Sequence, residues 1–461
     1  MGLWRQVVEI RRKAWYTILN YHPNGGTCME QLNRALFAFL DGSPTCYHAV
    51  NNVADTLAEV GYRRLLESES WTLTQGGKYF VTRGDSALLA FRVPCFDFRG
   101  FMLSASHSDS PSFKVRQSAE SDGAGKCRRL NVEPYGGMIQ RTWLDRPLSL
   151  AGRCLVEKDG SIETKLVIID RDLLVIPSVA IHMDREVNRN GALNAAADLQ
   201  PLFTQGSGTL KALLARELDV EEACILETEL FLYPRMKAAF LGAEQEFIAS
   251  PRLDDLQCVF ACMKGFLAAE DSGSVPVLAV FNNEEVGSTT RQGADSTFLT
   301  DVLERISEGC GKSREGHRAA VAQSFLVSAD NAHAVHPNHG EYADKAEAPV
   351  LNGGVVLKYN ANQRYTTDGL SAAVFGQVCR AAGVSFQRYS NRPDLPGGST
   401  LGNIAMAHLS IPAVDIGLPQ LAMHSAYEVA GARDTAALVK AMTVYYGKSF
   451  CRRADGAVEL K

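Results

Sequence analysis

The 461-residue chain lacks the marks of several large protein classes. Its eleven cysteines are odd in number and scattered, with no CxxC pair and no compact framework. Cys258 and Cys262 share one apolar helical segment and Cys379 lies on another, a pattern of reduced, buried thiols rather than a disulfide scaffold. No stretch reaches the roughly 18 consecutive apolar residues that a spanning helix needs. Charges at Glu9, Arg11, Arg12 and Lys13 interrupt what would have to be the apolar core of a signal peptide. A cytoplasmic protein without a membrane partner is therefore expected. Long basic tracts are also missing, and the formal net charge is -5, which argues against a nucleic-acid partner and against attraction to an anionic membrane.

What is present describes an ordinary globular protein, 46% hydrophobic and 21% charged, too long for one core and so expected to form two domains. Met29 to Leu40 has Leu32, Leu36 and Leu40 at helical spacing and stops at Gly42-Ser43-Pro44. Met1 to Gly26, ending in Pro23-Asn24-Gly25-Gly26, predicts an extra leading helix. Strands are predicted at Leu88 to Val93 and Phe101 to Ala105. From about Lys114 to Gln245 short β-rich stretches alternate with Gly, Asp and Ser. Beyond Ser250 strands and helices take turns, ending in a helix with Leu438, Met442 and Tyr445. The expected organisation is an α/β domain with a mostly parallel sheet, built from residues 1–113 and 246–461, interrupted by an inserted β-rich domain at 114–245. The stretch Gly309-Cys310-Gly311-Lys312-Ser313 is not a phosphate loop, because Ile306 stands where the first required Gly would be.

Five apolar stretches end on groups that bind cations or move protons. Val277 to Phe281 leads into Asn283-Glu284-Glu285-Val286-Gly287-Ser288. Phe101 to Ser106 leads into His107-Ser108-Asp109, and Ser250 to Leu253 into Asp254-Asp255. Phe325 to Ala329 ends at Asp330, and Ala413 to Ile416 is followed after a short loop by Met423-His424. Parallel strands read as continuous apolar runs, and ligands of open α/β sheets bind beyond the strands' carboxyl ends, so these groups are expected to converge on one rim. Two imidazoles and four or more carboxylates suit zinc without any thiolate. Adjacent acids such as Glu284 and Glu285 repel each other and call for a cation or a proton between them.

These motifs, together with Ser43-Pro44-Thr45-Cys46-Tyr47-His48 and Ser328-Ala329-Asp330-Asn331-Ala332-His333, resemble those of the aspartyl aminopeptidase and vacuolar aminopeptidase I family of di-zinc metallopeptidases, from about Asp41 to Tyr446. The resemblance implies a phosphorylase/hydrolase-like catalytic fold and Zn2+ at two positions per subunit. His107 and Asp330 would bind one ion, Glu285 and His424 the other, with Asp254 bridging and Glu284 as general base. Asp109 would accept the second N–H of the His107 imidazole. His182 resembles a histidine that reaches from the inserted domain into a neighbouring subunit's site, and Lys358 a lysine that pairs with an acidic substrate side chain. The implied activity is removal of N-terminal residues from peptide substrates, with a preference for Asp or Glu or, alternatively, for neutral residues. The implied assembly is a homo-oligomer, dimers paired through the inserted domain into a tetrahedral dodecamer, and apolar strands such as Ile225 to Leu232 are expected to need a partner surface. A non-catalytic assembly protein is the alternative from another class, disfavoured by the intact ligand set. Asn282, where relatives often carry Asp, and Asn403, where a proline is commoner, depart from the family pattern.

Overall fold

The computed structural model describes residues 28–189, 191–395 and 397–461. The leading helix expected at Met1 to Gly26 lies outside them. A nine-stranded sheet forms the spine of the molecule, in the order Arg63–Leu65, Lys78–Arg83, Ala87–Arg92, Val275–Phe281, Phe101–His107, Phe325–Ala329, Ala413–Gly417, Val355–Tyr359 and Phe386–Ser390. The four strands from Val275–Phe281 to Ala413–Gly417 run parallel, while Ala87–Arg92 and Val355–Tyr359 join them antiparallel. The central strands are apolar throughout because both faces are covered, and successive side chains pack on opposite sides. Leu278 and Val280 meet one core, with the helices Cys28–Gly42, Cys46–Glu59, Leu253–Ala268, Gly369–Ala381 and Asp434–Tyr446. Val277, Ala279 and Phe281 meet the other, with the helices Phe298–Gly309, Arg314–Ala322 and Leu401–His408.

An antiparallel six-stranded sheet is built wholly from residues between 112 and 234, in the order Ser161–Ile168, Leu148–Lys158, Ile225–Pro234, Ser112–Asp122, Arg128–Tyr135 and Leu202–Thr204. It closes its own core with the helix Leu210–Leu218. Ile225–Pro234 is a central strand of this sheet, and Ile225, Leu230 and Leu232 are buried within the chain. The sheet's own core covers Ile225, Leu230 and Leu232, so these need no partner surface, while Phe231 packs with Cys46 and Tyr47 and Leu226 stays exposed.

A third, five-stranded sheet joins Ala239–Leu241, Phe247–Ser250, Glu428–Gly431, Pro419–Leu421 and Ala332–His333. It corrects the expectation that all five site segments end strands of one parallel sheet. The stretch before Asp254 is the short strand Phe247–Ser250, paired antiparallel with Glu428–Gly431. His424 sits in the connection between Pro419–Leu421 and Glu428–Gly431. Apolar runs of three or four residues carry no information about which sheet will take them up.

Candidate metal centre

Three parallel neighbours of the nine-stranded sheet bring their carboxyl ends to one rim. Phe101–His107 ends in His107, Val275–Phe281 leads to Glu284 and Glu285, and Phe325–Ala329 leads to Asp330. The five-stranded sheet delivers Asp254 and His424 to the same place. His107 Nε2 lies 3.5 Å from Asp254 Oδ1 and 3.8 Å from Asp330 Oδ1. His424 Nε2 lies 3.5 Å from Asp254 Oδ2 and 3.4 Å from Glu285 Oε2. The two imidazoles thus face opposite oxygens of one carboxylate. Ligand atoms of His107, Asp254 and Asp330 fall within 4.8 Å of one another, as do those of Asp254, Glu285 and His424, and those of His107, Glu284 and Glu285.

The chemistry of this cluster fits a cation. Burial opposes charge on His107, yet hydrogen bonds to Asp109, Asp254 and Asp330 hold its pKa well above the ordinary value. Burial likewise opposes charge on His424, but Asp254 and Glu285 bring its pKa up to about 10. Asp254 is pulled far down against its own burial by the two imidazoles. Burial raises Glu285 well above the usual carboxylate range and Glu284 to about 7, each against the pull of a nearby histidine. The cluster demands positive charge, and the buried Asp254 Oδ1 and Glu285 Oε1 have no hydrogen-bond donor. Imidazole and carboxylate are donors that zinc accepts.

Both histidines are oriented to offer Nε2. His107 Nδ1 lies 3.0 Å from the backbone oxygen of Asp109, and His424 Nδ1 lies 2.8 Å from the backbone oxygen of Gly137. A carbonyl can only accept, so each Nδ1 donates and each Nε2 is free to ligate. Asp109 approaches the His107 imidazole, as expected, but its carboxylate is 3.5 Å away and does other work. Its Oδ1 accepts from the Glu284 N–H and its Oδ2 from the Glu285 N–H, both at 3.2 Å. Asp109 therefore pins the turn that carries the glutamate pair. That turn closes through Gly287, whose N–H donates to the Glu284 carbonyl at φ 96, a conformation suited to glycine.

Several surrounding groups hold these residues in place. Glu428 accepts from the Asp254 N–H at 3.0 Å and from the His424 N–H at 2.7 Å, and burial raises its pKa to about 8. Asp255, fully buried, accepts from the His107 N–H at 3.1 Å. The Asn331 amide donates to Leu253, Gln257 and Gln420, tying the segment beyond Phe325–Ala329 to the helix Leu253–Ala268. Asn282 donates to Ser86 and accepts from the Asn283 N–H.

Lys358 and His182 occupy different settings. Lys358 is buried, donates to the Asn331 carbonyl at 2.9 Å and lies 3.4 Å from Asp330 Oδ2. His182 sits on an exposed turn beside Val179, Ile181 and Met183, which are exposed as well. The histidines at 333, 336 and 339 do not join the ligand cluster; His339 pairs instead with Glu341.

The sequence matches the family described as Aminopeptidase I zinc metalloprotease (M18) over residues 39–446. A curated relative from Clostridium acetobutylicum, named M18 family aminopeptidase 2, is 43% identical over 423 residues, spanning 90% of this chain and 98% of its own length. Among solved structures, the Ape4 and Nbr1 complex matches with a TM-score of 0.87 and 35% identity, covering 91% of this chain and 86% of the matched one. The mApe1 dodecamer of S. cerevisiae matches with a TM-score of 0.80 and 27% identity, covering 90% and 96%. The chain belongs to the M18 family of zinc metalloaminopeptidases, hydrolases that release N-terminal residues from peptides.

Proposed function

We propose that the chain works as a two-zinc aminopeptidase in which Asp254 bridges the ions. His107 and Asp330 would complete one position, and Glu285 and His424 the other. The observation that carries this reading is the placement of two Nε2 atoms against opposite oxygens of Asp254, each at 3.5 Å. Two-metal hydrolases hold their ions roughly 3.5–4 Å apart, which a single carboxylate can span. Held by these residues, zinc would supply Lewis acidity, lowering the pKa of bound water toward roughly 7 and polarising the scissile amide.

Glu284 is the general base. It carries a half-buried carboxylate at the rim, and its raised pKa suits a group that takes a proton from the attacking water and returns it to the leaving amine. Asp109 keeps Glu284 and Glu285 in place through their backbone N–H groups.

Substrate preference has two readings. Lys358 lies beside Asp330, and a cation next to a metal ligand favours an acidic N-terminal side chain. Its existing pairing with Asp330 favours the second reading, in which the charge is already neutralised and neutral residues are preferred. The chain is further proposed to act in the cytoplasm, supported by the ten free thiols from Cys46 to Cys451, and to assemble through dimers into a dodecamer, the state in which the yeast mApe1 relative was solved. In that assembly the exposed His182 would reach a neighbour's site.

Aminoacyl-nitroanilides of Asp, Glu, Ala, Leu and Lys, assayed with and without chelator and alongside native mass, test these statements together. Activity that survives complete removal of metal would sink the two-zinc reading. Faster cleavage of the Asp and Glu substrates by the parent than by Lys358→Met selects the acidic preference, and indifference to that substitution selects the neutral one.

A further inference from the structure

We propose that the segment Tyr135-Gly136-Gly137, at the end of a strand in the six-stranded sheet, positions the metal ligands of its own chain. The inference rests on the ligand set proposed above. The Tyr135 hydroxyl donates to Asp109 Oδ2 at 2.7 Å and accepts from the Asn283 amide at 2.8 Å, so its single proton is committed to Asp109. Asp109 in turn holds the Glu284 and Glu285 N–H groups. Asn283 is held from its other side by the Thr290 hydroxyl at 2.9 Å. The turn Glu284–Val286 has three residues, too few to fix its own position, so these outside bonds decide where both glutamates point.

The next two residues touch the site directly. Gly136 passes so close to the glutamate pair that a Cβ there would stand 3.1 Å from Glu285 Cβ, and its φ of +75° also favours glycine. The Gly137 carbonyl accepts from His424 Nδ1, and the Ile139 N–H donates to the His424 carbonyl at 2.9 Å. Thr142 extends the grip, its hydroxyl accepting from the Ala426 N–H at 2.9 Å. One short piece of the six-stranded sheet thus orients Asp109, Glu285 and His424 at once. The Tyr135 ring is itself fixed edge-on against Phe231, with centroids 5.5 Å apart. Tyr135 is a positioning residue: it reaches the zinc ligands only through Asp109 and Asn283.

Two variants of the full chain test this. Tyr135→Phe keeps the ring contact with Phe231 and removes only the hydroxyl, and Thr142→Val removes the hydroxyl's bonds to Ala426 and Ile139 from a half-buried side chain. Zinc affinity is read by chelator competition, and kcat, KM and Tm are read on the same preparations. Tyr135→Phe is expected to weaken zinc binding roughly 10–100-fold and to lower kcat with KM nearly constant, and Thr142→Val to weaken zinc binding less. A purely structural role would lower Tm and leave zinc affinity and the kcat–KM split alone, which would overturn the inference. If Tyr135→Phe does not fold, Thr142→Val alone decides, and unchanged zinc affinity there overturns it. A parent chain that binds no zinc would instead indict the ligand assignment.

Discussion

The two imidazoles that flank Asp254 sit in unlike surroundings. His107 ends a seven-residue strand in the middle of the nine-stranded sheet, and its side chain is 1% exposed. His424 lies in a loop of the five-stranded sheet at φ 68, and its side chain is 31% exposed. One pole of the centre is therefore part of the folded core, with Asp255 and Asp109 bonded behind it. The other hangs between two short strands and depends on Glu428 and on Gly137 from the six-stranded sheet. The difference teaches that the His107 pole is fixed by folding and the His424 pole by contacts between sheets. The first should hold its ion tightly. The second faces solvent and should release its ion more readily.

The largest effect is expected at the group the poles share. Asp254→Asn should remove at least one zinc per chain and abolish activity, because an amide cannot serve two cations as a carboxylate does. Metal analysis that finds both ions with full activity would erase the bridge and with it the comparison.

The next effect separates the poles. His107→Ala should cost on the order of 1–3 kcal/mol of stability in metal-free protein, since it opens space at a buried strand end and strips the neighbouring carboxylates of their partner. His424→Ala should lower the metal-free Tm less than His107→Ala does while losing zinc as readily. Calorimetry giving equal Tm losses for the two variants would show that the poles are equivalent.

A smaller, pH-dependent effect follows from the raised histidine pKa values. A histidine whose folded pKa lies above its unfolded value stabilises the fold below the unfolded pKa, and that contribution is lost as pH rises through the folded pKa. For His424 the window runs from about 6.5 to about 10. Metal-free protein should lose stability across it, whereas zinc needs the neutral imidazole and binds better as pH rises. The Tm gain from zinc should therefore grow with pH over this range, and calorimetry showing a constant or shrinking gain would contradict the sign.

The smallest effect is expected at Asn282. Asp in its place can still accept from the Asn283 N–H, and the Ser86 hydroxyl can turn to donate, so Asn282→Asp should change kcat by no more than about threefold.

The groups carried by the nine-stranded sheet, Glu285 of the His424 pole among them, were the more legible in the sequence. His107, Glu285 and Asp330 follow strands covered on both faces, and such strands read as unbroken apolar runs that announce their ends. Asp254 and His424 were legible as candidates but not in their setting, because Phe247–Ser250 and Pro419–Leu421 are too short to show which sheet they join. Tyr135 and Glu428 were silent. Each acts through hydrogen bonds to residues far off in the chain, Tyr135 to Asp109 and Glu428 to Asp254, and no local pattern marks such a partner. Asp255 stood next to a named ligand, yet only the fold reveals that it holds the His107 backbone rather than a metal.

The most direct test of the account is Glu284→Gln, with zinc content and kcat measured on one preparation. The account predicts zinc content equal to the parent's and kcat lower by on the order of 10²-fold or more, because the substitution removes proton transfer and leaves the ligands in place. Unchanged kcat, or zinc lost in proportion to activity, would contradict it.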